Sequence, residues 1–112
     1  MGRAQEWLED RRFRVEKKAD IPGARLDLAG RKYSKDRLVH EILIEVETCD
    51  SIGLPHAAEQ VDAMDRYVLA LRKKRKLKSE SYLVVPKRCV QDGKLVVRTI
   101  TNGDTTVRIM GL

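Results

Sequence analysis

The chain has 112 residues, enough for one compact domain spanning 1–112 with its own apolar core. Hydrophobic residues make up 42% and charged residues 36%, which excludes a disordered or fibrous chain; no apolar run approaches a membrane span and no signal-peptide core is present, so a cytoplasmic protein is expected. The 23 Lys and Arg against 17 Asp and Glu leave a net charge of +6, which favours a polyanionic partner through counterion release without requiring one.

Residues Ala4 to Arg12 read as a short helix with Ala4, Trp7 and Leu8 on one face. The chain starts almost on this helix, which leaves its full length open. Phe13 to Ala19 alternates as a first strand, and Ile21-Pro22-Gly23 is a turn. Ala24 to Ala29 follows as a short second strand. Asp27 is out of place there, because Asp is poor in strands and sits between two leucines that must both face a core. Arg31 to Arg37 reads as a polar hairpin loop.

The third strand, Leu38 to Glu47, holds the most apolar and β-branched run in the chain. Side chains alternate faces along a strand, so Ile42, Ile44 and Val46 point one way and Leu43, Glu45 and Glu47 the other. Two carboxylates about 5 Å apart repel by roughly 3 kcal/mol at an effective dielectric near 20. A cation, a proton or water has to compensate.

Thr48 to Ser51 supplies capping residues, and a helix starts within Ser51 to Pro55 and runs to about Arg72. Its apolar positions Ala57, Ala58, Val61, Met64, Val68 and Leu71 recur at helical steps. The cationic run Arg72, Lys73, Lys74, Arg75, Lys76 and Lys78 suits the helix C-terminus, and it can equally track phosphates. Ser81 to Pro86 is a buried-type strand, parallel to the third across the crossover helix. Arg88 to Thr101 reads as a helix capped by Asn102-Gly103, and Thr105 to Met110 as an edge strand. Cys49 and Cys89 are too few for a zinc site. Each follows a strand, so they can be neighbours, with reduced buried thiols the expected state.

Pro22-Gly23-Ala24-Arg25-Leu26-Asp27, then Ile44-Glu45-Val46-Glu47, set in the order helix, three strands, helix, strand, resembles the PD-(D/E)xK nuclease superfamily. Small archaeal Holliday-junction resolvases and RecB-like nucleases share that core. The resemblance covers roughly Phe13 to Pro86. It implies an α/β restriction-endonuclease-like fold, a mixed central β-sheet of about five strands flanked by helices around an αβββαβ core. It further implies a Mg²⁺-dependent DNA endonuclease, with Mn²⁺ as a possible substitute, acting on duplex or branched DNA. Asp27, Glu45 and Glu47 would be catalytic and metal-binding. Gln60 and His56, four residues apart on one helix face, would support them, and Gln60 with Tyr67 resembles the Gln and Tyr of RecB-like nucleases at a different spacing. The cationic run would bind nucleic acid, and a homodimer is expected because two strands take two sites. Glu47 departs from the family's lysine. That leaves open a catalytically inactive member binding DNA or protein, and beside it a basic interaction module of unrelated α/β fold.

Overall fold

The computed structural model describes residues 2–74, 77–103 and 105–112, without the side chain of Lys74. The elements run α1 (Gly2–Asp10), β1 (Arg14–Ile21), β2 (Ala24–Ser34), β3 (Arg37–Val46), α2 (Pro55–Lys74), β4 (Lys78–Val85), a short 3₁₀ turn (Lys87–Cys89), α3 (Val90–Thr101) and β5 (Val107–Gly111). One five-stranded mixed sheet has the order β1-β2-β3-β4-β5. The first three strands are antiparallel, and β3, β4 and β5 are parallel. This is the α/β architecture expected from the sequence, a mixed sheet flanked by helices on both faces.

Alternation along β3 divides the core as its residues require. Ile42 and Ile44 join Ala4, Leu8, Phe13 and Val84 under α1. Leu43 faces the opposite way, toward Val61, Met64 and Val68 of α2 and Val97 of α3. α1 lies so close to β2 that a Cβ at Gly30 would stand 2.7 Å from Leu8 Cδ2. Any side chain there would force Leu8 and Phe13 to shift.

Three local results depart from expectation. The supposed loop over Arg31 to Arg37 is strand, because Lys35 and Asp36 alone make the turn. Both have positive φ (50° and 64°), the two-residue geometry whose twist matches its flanking strands. Cys49 and Cys89 are bonded, with Cα atoms 5.7 Å apart. They follow neighbouring parallel strands, so their exits lie side by side within bridging distance. This overturns the expectation of reduced thiols. Finally, Leu26 and Leu28 face different cores: Leu26 packs with the α2 cluster and Leu28 with the α1 cluster. Asp27 stands at that change of face.

Candidate active site

The crevice lies where β2 and β3 stop pairing. Their ladder ends at Leu28↔Ile44, and the next facing positions on that register are Asp27 and Glu45. Side chains replace the missing ladder bonds. The Asp27 N–H donates to Glu45 Oε1 (3.2 Å), and the Val46 N–H donates to Asp27 Oδ2 (2.8 Å). The two acids are therefore locked opposite each other on the α2 face of the sheet.

Glu45 is 3% exposed and sits opposite Leu83 of β4 in the parallel register. Burial removes water from its carboxylate, and the charges of Asp27 and Glu47 lie against it; a hydrogen bond with Glu47 further favours the protonated form. Together these push its pKa up from 4.5 to about 8, against the opposing pull of the Asp27 N–H.

Glu47 lies just beyond β3, buried, with its N–H donating to Val84 O at 2.9 Å. Pro55 occupies the first helical position of α2, and Thr48 and Ser51 exchange hydrogen bonds across the preceding loop. This sets His56, 70% exposed, with Nε2 3.7 Å from Glu45 Oε2. Gln60 is buried one turn on, and its Nε2 donates to Arg25 O (2.6 Å). It ties α2 to the chain before Asp27, and its Oε1 and second N–H remain for other partners.

Lys78, the last residue of the cationic run, lies at the far end of the sheet. Lys78 pairs with His40 at the start of β3, while Glu45 pairs with Leu83. Five strand residues separate the two, about 17 Å at about 3.3 Å per residue. Arg72 donates to Ser79 O (3.2 Å), and Lys73 and Lys78 are exposed. Arg75, Lys76 and the Lys74 side chain lie outside the described residues.

Lys18 of β1 escaped the sequence reading. Its Nζ lies 3.5 Å from Asp27 Oδ1. The signal was available: a two-residue Pro22-Gly23 turn, with Ile21 pairing Ala24, sets position 18 opposite 27. Asp65 was missed as well. It lies on the buried stripe of α2, and its Oδ1 accepts the Thr106 N–H (2.7 Å) and hydroxyl (2.8 Å), holding the approach to β5.

Among the described residues no group of three or more His, Cys, Asp or Glu side chains is arranged to hold a metal ion. The predicted trio of Asp27, Glu45 and Glu47 is thus not assembled as three ligands, since Glu47 turns its hydrogen bond on Glu45. The pair Asp27 and Glu45 fits a hard divalent cation in another way. Mg²⁺ commonly takes one or two carboxylates and fills its remaining positions with water and phosphate oxygens. A cation also removes the like-charge repulsion that drives Glu45 to hold its proton.

No protein-family model and no curated protein matches the chain. The fold is similar to the crystal structure of a repair endonuclease from Pyrococcus abyssi, at a TM-score of 0.46 and 18% identity. The match covers 97% of this chain and 44% of that one, so the chain spans less than half of that protein's length. At that level the likeness carries no functional weight. No helix among the described residues is long and apolar enough to cross a membrane.

Proposed function

We propose that the chain is a Mg²⁺-dependent DNA nuclease of the PD-(D/E)xK type, acting on duplex or branched DNA, with Mn²⁺ able to replace Mg²⁺. The observation that carries this reading is the facing pair Asp27 and Glu45, cross-braced through the Asp27 and Val46 amides at an open strand end. Asp27 and Glu45 would hold the ion. When bound it would polarise a phosphodiester and lower the pKa of a water molecule.

The chain's own groups divide the remaining tasks. Glu45 would be ionised when it holds the ion, and Glu47 beside it takes the proton of the attacking water. His56 Nε2, exposed at the mouth, returns a proton to the leaving oxygen as the water oxygen bonds to phosphorus and the P–O ester bond breaks. Gln60 holds α2 against β2 and keeps His56 over Glu45. Aromatic residues are only 4% of the chain, which disfavours stacking of single strands.

Cleavage of end-labelled linear, four-way-branched and single-stranded DNA with Mg²⁺ or Mn²⁺ tests the reading. Asp27→Ala and Glu45→Ala are expected to lower the rate about 100-fold or more. Cleavage that survives Glu45→Ala refutes the site. One observation favours a second reading, an inactive member of the same fold that binds DNA or protein: Glu47 stands where the family carries lysine. Under that reading neither metal binds at pH 8, although DNA does.

A further inference from the structure

We propose that Lys18 is the phosphate-contacting cation of this site, held beside Asp27 by a left-handed backbone conformation in mid-strand; this rests on the nuclease reading above. Five non-glycine residues among those described have positive φ. Arg12 follows the end of α1, Lys35 and Asp36 make the β2–β3 turn, and Asn102 caps α3. Each stands where the chain must reverse or stop. Lys18, at φ 54°, is inside β1, four residues from its start and three from its end.

A left-handed residue in mid-strand is sterically costly for any side chain with a Cβ, and glycine would relieve it. Strain of this kind persists only where the surroundings enforce it, and it clusters at ligand sites. Its effect here is local. The pairs on either side, Lys17↔Leu28 and Ala19↔Leu26, keep one register, while Lys18 and Asp27 make no ladder pair. The strands change face at this one step, as Leu26 and Leu28 entering different cores attests. The same step delivers the Lys18 ammonium to Asp27 Oδ1 at 3.5 Å.

The exposures assign its direction. The Lys18 side chain is 63% exposed and Asp27 19%. One N–H of the ammonium reaches the carboxylate, and its exposure leaves the others free for a phosphate oxygen. Two or three carboxylates repel an incoming phosphodiester, and charge builds on its oxygens during displacement. A fixed ammonium at the rim offsets both effects without forming a covalent bond. The contact with Asp27 positions Lys18, and the phosphate is its proposed partner.

Lys18→Met and Lys18→Gly in the full chain test this, read by DNA cleavage, Mn²⁺ binding and thermal melting. Lys18→Met is expected to cut kcat about 100-fold. Its Mn²⁺ affinity should instead tighten by about tenfold, the scale of a +1/+2 repulsion across about 5 Å in water. Lys18→Gly should lose activity equally while melting at or above the wild-type temperature, because glycine accepts the left-handed conformation. Lys18→Arg should recover part of the rate. A structural role alone would weaken Mn²⁺ binding, cleavage and melting together, and that outcome overturns the proposal. Wild-type cleavage matched by Lys18→Met overturns it while leaving the nuclease reading standing. No cleavage by the wild type with either metal removes both.

Discussion

Glu45 offers the sharpest quantitative test, because its raised pKa converts directly into stability. The folded chain holds the Glu45 proton up to about pH 8, whereas the unfolded chain releases it near 4.5. Between those values the folded state binds more protons than the unfolded one, so stability falls as pH rises. The contribution is fully present below about pH 4.5, declines through the window and levels off above about pH 8. At about 1.4 kcal/mol per pKa unit the full shift corresponds to about 5 kcal/mol as an upper bound. The crevice is open to water beside His56, so about 2–3 kcal/mol is expected. The perturbation is Glu45→Gln, whose amide keeps the Asp27 N–H bond and imitates the protonated acid toward Glu47. The assay is metal-free thermal melting of both proteins from pH 4.5 to 9. They should melt together at the acid end, and the variant should melt about 8–12 °C higher at pH 9. Other groups titrating in this range cancel in the difference. A difference that stays constant with pH, or a variant less stable than wild type at pH 9, refutes the electrostatic account. With Mn²⁺ at pH 9 only the wild type should gain stability.

Gln60→Ala removes the donor to Arg25 O and should cost about 1–3 kcal/mol in denaturant unfolding, with Gln60→Glu no better, because a carboxylate cannot donate. Cys89→Ala should lower stability by about 2–4 kcal/mol under oxidising conditions, because the bridge spans 40 residues; a strong reductant should erase the difference. Replacing Lys35-Asp36 by Asn-Gly should raise stability by about 1 kcal/mol, because both positions require positive φ; an unchanged midpoint would count against the assigned turn.

Local pattern carried much of this protein. Alternation placed Ile42 and Ile44 under α1 and Leu43 with Glu45 on the opposite face, because two-residue periodicity is a property of any strand. The spacing of Val61, Met64 and Val68 marked α2, and Asn102-Gly103 marked the end of α3, since left-handed caps favour those residues. Strand, helix and strand in that order made β3 and β4 parallel. These features depend on neighbours a few residues apart.

What tertiary structure decided depends on positions the chain separates widely. The cationic run was read as a nucleic-acid-binding surface, and sheet register places its Lys78 beside His40, at the end of β3 away from Glu45. Glu47 was read as a third ligand, and the fold buries it against Glu45, whose pKa it helps to raise. Asp27 was anomalous between two leucines until the change of face sent Leu26 and Leu28 into different cores. That change is written in one backbone angle, at Lys18 on another strand. Sequence alone could name the acids, because their types and spacing are local. The raised pKa of Glu45, the bracing amides and the lysine beside the acids follow from desolvation and register, which exist only once the sheet has formed.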